Sequence, residues 1–143
     1  MYCFYTLDVD IKICINSTAQ ADGCSAIYRV IVYLDRQANG AIATLQQILQ
    51  VPTTLTADDT FAFNNLENSN RFKILFNKFR TIHSWNATDT TNTAARTYHH
   101  IRKRFKIPCT IEYGPGGLGA IGEIKSCNVG LFIMCNNDTR SEE

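Results

Sequence analysis

Residues 26–35, AIYRVIVYLD, are apolar at both parities and rich in β-branched side chains. Such a run reads as a strand without a wet face, to be covered on both sides by the chain's own elements or by a neighbouring subunit. It ends at DRQANG, a polar turn signal with Asn39-Gly40 at its tip.

The rest of the chain follows the same strand logic. In LDVDIKICI (7–15), Leu7, Val9, Ile11, Ile13 and Ile15 share one parity and Asp8, Asp10, Lys12 and Cys14 the other, the period of a strand with one solvated face. TLQQILQ (44–50) spaces Leu45, Ile48 and Leu49 for one or two helical turns, stopped by Pro52. FAFNNLENSN (61–70) reads as an ordered polar loop pinned by Phe61, Phe63 and Leu66. RFKILFNKFRTIH (71–83) sets Phe72, Ile74 and Phe76 against Arg71, Lys73, Leu75 and Asn77, favouring a strand, though Phe72, Leu75, Phe76 and Phe79 also fit a helix. Residues 84–97 lack apolar periodicity and read as a long loop. In 98–113, Ile101, Phe105 and Ile107 share one parity, and Arg102, Arg104 and Lys106 the other. The last strand region is 121–135. Short strands between turns, without an internal repeat, predict an all-β antiparallel sandwich or barrel in a single domain, 1–143.

Bulk properties narrow the function. No apolar run approaches the ~20 residues that span a bilayer, and the N-terminus lacks the basic start and apolar block of a secretory signal. Six scattered cysteines without a C-x-x-C pair read as free thiols. The N-x-S/T sequons at Asn16, Asn86 and Asn137 read as chance matches in an Asn/Thr-rich chain. A net charge of +1 hides an asymmetry: residues 70–111 hold nine Lys/Arg against one acid, giving +8, and the remainder holds five against twelve, giving −7. That segment is a candidate surface for a polyanion or an acidic neighbour, or simply a set of solvated faces adjacent in sequence.

The stretch EYGPGGLGAIGE spells G-x-G-x-x-G at Gly114, Gly116 and Gly119. A dinucleotide loop needs a helix after the glycines to meet the phosphates, and the residues beyond Gly119 are rich in β-branched side chains and glycine, without a helical stripe. A kinase-type loop needs a lysine strand and a catalytic loop downstream, for which too little chain remains. The stretch therefore reads as a glycine-rich connection between strands. His83, His99 and His100 pair with no nucleophile by any local signature, Asp58-Asp59 and Glu142-Glu143 read as solvated acids, and Cys109 with His99 and His100 is a weak zinc spelling. No catalytic residue, cofactor or metal is expected. Arg102, Lys103, Arg104 and Lys106, interleaved with Tyr98 and Phe105, are suited to single-stranded nucleic acid, whose phosphates take cations and whose bases stack on aromatics.

Several segments together, YRVIVYLDRQANGA (28–41), ILQ (48–50), FNNLENSNRFKILFNK (63–78), IPCTIEY (107–113) and GAIGEIKSCNVGLFIMC (119–135), resemble in order and spacing the capsid proteins of small circular single-stranded DNA viruses that encode a replication-initiator protein. This is the circovirus-like group, of which geminivirus coat proteins are distant relatives. The most specific pieces are Asp35-Arg36-Gln37 with Asn39-Gly40, and Asn70-Arg71-Phe72-Lys73. The resemblance implies an eight-stranded jelly roll that self-assembles into an icosahedral T=1 shell around circular single-stranded DNA. Its partners would be further copies of itself, the DNA genome and a host-cell receptor, with no membrane, in the virion and, during assembly, the host nucleus or cytoplasm. Arg71, Lys73, Arg102, Lys103, Arg104 and Lys106 are the candidates for facing DNA. Two departures stand out by comparison: the basic N-terminal arm and first strand are missing, and so is the final strand, which would leave an open sheet edge. The competing reading is a nonviral β-sandwich module that binds a glycan or a protein through its loops.

Overall fold

The computed structural model describes residues 4–14, 25–38, 40–83, 98–110, 112, 114 and 123–136. Expectations for 84–97, Asn39, Gly116, Gly119 and the three sequons fall outside these residues. The strands are β1 (Phe4–Cys14), β2 (Ser25–Asp35), β3 (Phe72–His83), β4 (Tyr98–Pro108) and β5 (Asn128–Asn136), with a short helix α1 (Leu45–Ile48) and a 3₁₀ turn (Ala57–Phe61) between β2 and β3. They form two antiparallel sheets, β1-β4 and β3-β2-β5. The chain is thus mostly β, and the arrangement is compatible with an all-β sandwich.

The pairing is nested. β1 lies along β4 from Phe4↔Pro108 to Cys14↔Tyr98, and β2 lies along β3 from Ser25↔His83 to Asp35↔Phe72. One arm of the chain, β1 then β2, therefore runs antiparallel beside the other, β3 then β4, and the two arms change sheets together. β5 completes the larger sheet against the free side of β2.

As its sequence requires, β2 is covered on both faces. Tyr28 and Val30 pack with Ile82, against Ile11 and Ile13 of β1 and Ile101 of β4 in the other sheet. Ile31 and Tyr33 point the opposite way, onto Leu45, Ile48, Leu49 and Phe72. A four-residue helix has no stability of its own. Here the Thr44 amide donates to Gln47 Oε1 at 3.0 Å, and Ile48 and Leu49 are almost fully buried, worth roughly 1.5–3 kcal/mol each by area. Gly130 sits opposite Tyr33, whose ring stacks on Phe132; a β-carbon at 130 would fall inside that ring.

Two expectations need correction. The alternation of Phe72, Ile74 and Phe76 on one face fails because the register slips between Val32 and Tyr33: Val32 pairs with Phe76 and Tyr33 with Ile74, leaving Leu75 as an extra residue. A bulge of this kind flips the strand's parity. Phe72 and Ile74 accordingly face α1, whereas Phe76 faces the other sheet. Secondly, Phe63 and Leu66 do not pin their loop, being 82% and 73% exposed; Phe61 alone of the three keeps that role, its half-exposed ring stacked on Phe79 of β3 with centroids 5.8 Å apart. Polar groups hold the rest. The buried Arg29 donates to the Thr60 and Ala62 carbonyls (3.1 and 2.6 Å) and to Asn77 Oδ1 (2.9 Å), while Asn65 and Asn68 donate to the carbonyls of Gln46 and Gln47. Satisfying a buried guanidinium with three such acceptors avoids the penalty of an unpaired charge.

Candidate nucleic-acid interface

The six cations singled out in the sequence separate into four environments. Arg71 belongs to a structural clamp. Asp35, 1% exposed, accepts from Arg71 Nε and Nη2 at 2.9 and 2.8 Å, and its Oδ1 also accepts the Gln37 amide at 3.0 Å. The Arg36 amide donates to the Arg71 carbonyl, and the Arg71 guanidinium lies over the Phe72 ring, 4.7 Å from its centroid. The two most specific sequence pieces, at 35–37 and 70–73, thus meet where β2 ends and β3 begins. Asp35 holds Arg71 further in its charged form by direct hydrogen bonding. Lys73, next in the chain, is exposed and borders, with Arg36, a groove of about 300 Å³ beside Ile48 and Phe72.

Arg102, Arg104 and Lys106 line the outer face of β4, as their shared parity predicts. Across the ladder stand the acids of β1: Arg104 makes a two-point contact with Asp8 (2.6 and 2.9 Å), and Arg102 and His100 both reach Asp10. Hydrogen bonds from Arg104 and His100 hold the Asp8 and Asp10 carboxyls below their usual range. Part of the acidic neighbour that the +8 segment calls for is therefore β1 of the same chain. These pairs are solvent-exposed, so they fix register more than they stabilise.

Lys103 differs. It shares the inward parity of Ile101 and Phe105, and it lines an open cleft of about 500 Å³ beside β3 and β4 together with Tyr28, Phe76, Lys78, Arg80 and His99, which His100 and Arg102 of the other parity also reach. The β3 bulge brings Lys78 and Arg80 here: downstream of Leu75 the inward positions are 76, 78, 80 and 82, and Lys78 and Arg80 stand opposite the buried Val30 and Tyr28. Phe76 meets Phe105 edge-on across the sandwich, ring centroids 6.3 Å apart, and the Tyr28 hydroxyl is hydrogen-bonded to His99 Nδ1 at 2.9 Å. Burial pushes the Tyr28 phenol up, with Arg80 pulling the other way. Sequence parity alone does not pick out Lys78, Arg80 and His99 as site residues, because the direction of the two β3 cations depends on the bulge. A signal is present nonetheless: two cations, Lys78 and Arg80, at alternate positions of the strand.

The glycine-rich stretch is tied at its base. The Gly114 amide donates to the Glu123 carbonyl (2.6 Å) and the Lys125 amide to the Glu112 carbonyl (2.8 Å), so Glu112–Gly114 and Glu123–Lys125 run antiparallel. From there the chain enters β5 at Asn128, and the glycines at 116 and 119 with the residues that follow them lie outside the described residues. Cys109 and Cys127 are free thiols. Burial and the neighbouring Cys127 push the Cys109 thiol up to about 12, which leaves it protonated and unreactive at neutral pH. Among the described residues, no three His, Cys, Asp or Glu side chains gather to hold a metal ion, and no helix is long and apolar enough to cross a membrane.

Compared with known proteins, the chain matches no protein-family model and no curated sequence.

Proposed function

We propose that this protein is a capsid subunit of the circular single-stranded DNA virus type, a jelly roll whose copies assemble into a small icosahedral T=1 shell around DNA. The observation that carries the assembly reading is the exposure of large apolar side chains along the β2–β3 connection: Phe63 at 82%, Leu66 at 73% and Ile42 at 64%, with Leu55 and Phe61 about half exposed. Single exposed apolar residues are ordinary, but this many in one polar-anchored connection suit a surface that a second copy covers. Polar anchoring matters here because it holds the apolar groups outward without needing them for the fold.

The nested pairing supports the jelly-roll reading. A jelly roll is a long antiparallel ribbon wound so that its halves fall in two facing sheets, and β1–β2 running beside β3–β4 is such a ribbon. Five strands lie among the described residues where a full jelly roll has eight. Leu131 and Ile133 of β5, which pair with Val32 and Val30 of the inward face, are 45% and 48% exposed. That uncovered stretch marks where further strand area would pack. The sequence resemblance at 35–40 and 70–73 supplies the viral assignment, and the cations of β3 and β4 supply the affinity for DNA.

Replacing Phe63 and Leu66 together by Ser tests the assembly reading. The double variant is expected to keep the parent's circular dichroism and thermal midpoint while particles vanish from sedimentation and micrographs. Undiminished particle formation would remove the connection from the shell contacts.

A further inference from the structure

The inner face of a β-sandwich is where apolar side chains belong, and a cation placed there needs a partner or a route to water. Among the described residues three occupy that face, and all three are exposed and so reach water: Lys78 and Arg80 on β3, and Lys103 on β4, with His99 beside them. Their sequence neighbours on the same face, Phe76, Ile82, Ile101 and Phe105, are the apolar residues such a face calls for. The acids of the neighbouring strand β1 do not answer them. Asp8 and Asp10 are taken by Arg104, Arg102 and His100, of which Arg102 and His100 also reach the cleft, and among the described residues no carboxylate lines it.

From this arrangement we propose that the cleft between β3 and β4 seats one nucleotide unit of a single DNA strand. Lys78, Arg80 and Lys103 meet its phosphate, and Phe76 and Ile101, both partly exposed, meet its base. The volume, about 500 Å³, lies in the range of small-ligand pockets. Cations from two facing strands converge on one phosphate as point charges, and an apolar floor accepts any base face, so the site is blind to sequence. A packaged genome asks for that property. The inference rests on the proposed function for the choice of a DNA strand over other phosphate-bearing chains; the cleft and its charge stand without it.

Fluorescence anisotropy of the full chain with a labelled short oligothymidylate, competed by thymidine monophosphate and by inorganic phosphate, tests the site. Lys78→Gln, Arg80→Gln and, on the opposite sheet, Lys103→Gln are each expected to weaken oligonucleotide binding about tenfold and to flatten its salt dependence by about one phosphate contact. Lys78→Arg should retain binding, and Lys12→Gln, on the outer face of β1, should shift it less than about twofold because exposed charges there are screened. Thymidine monophosphate should compete better than phosphate but less well than the unlabelled oligonucleotide. Cleft variants indistinguishable from Lys12→Gln would overturn the proposal. Equal competition by phosphate and by the nucleotide would reduce the cleft to an anion site, and a free nucleotide matching the oligonucleotide would exclude a strand; either result overturns it as well. Particles forming normally beside any of these outcomes would sink the cleft alone and leave the capsid reading standing.

Discussion

Asp35 and Arg71 show how one pair of residues can close a fold. Asp35 is buried, its oxygens accept from Arg71 and from the Gln37 amide, and Arg71 in turn covers Phe72. Removing either partner leaves the other charge without its counterpart. Asp35→Ala and Arg71→Ala are each expected to cost about 3 kcal/mol in urea unfolding, and the double variant markedly less than their sum. Additive costs would show that the pair is not coupled. Gly130 makes a sharper steric case: Gly130→Ala should destabilise by about 1–3 kcal/mol through displacement of the Tyr33 ring from Phe132, seen as altered Tyr33 resonances. These residues are legible to different degrees. Nothing in the local pattern of 70–73 says that Arg71 turns back to Asp35; only the family resemblance marks both as special, and it puts Arg71 among the DNA candidates, whereas the structure gives its guanidinium to the clamp.

At the scale of elements, β2 is the most legible, since a strand apolar at both parities has to be covered twice, and α1 and the β1-β4 sheet cover it. β4's outward cations are equally plain from parity. β3 is not, because a bulge costs one residue and inverts every position beyond it; its signal lies in the register with β2, which no single strand carries. The apolar loop residues Phe63 and Leu66 mislead for another reason: apolar side chains in a loop default to anchors unless polar groups, here Arg29, Asn65 and Asn68, already do the anchoring. The β1-β4 sheet has its own pH signature. Asp8 and Asp10 titrate below the unfolded value of 3.8, so their contribution is complete above that value and disappears as pH falls through the lower folded values. Amide exchange of β1 and β4 should therefore quicken below about pH 3.8 before that of the β3-β2-β5 sheet, which has no such ladder. Simultaneous loss of both sheets would contradict it.

For the whole molecule, what counts is which surfaces are left over. The two-armed ribbon buries its apolar residues around β2, yet Phe63 and Leu66 on the β2–β3 connection and Leu131 and Ile133 on β5 remain exposed. A protein that acts alone has little use for these surfaces. On the capsid reading proposed above, the β2–β3 connection becomes a contact repeated by symmetry, the β5 stretch takes further strand area, and the cations of the β3–β4 cleft become a repeated site for a strand. The most direct measurement is electron microscopy of the purified chain under assembly conditions, with and without single-stranded DNA. Closed particles of uniform diameter, holding DNA protected from nuclease, are the predicted result. A well-folded protein that stays strictly monomeric under the same conditions would contradict the capsid reading.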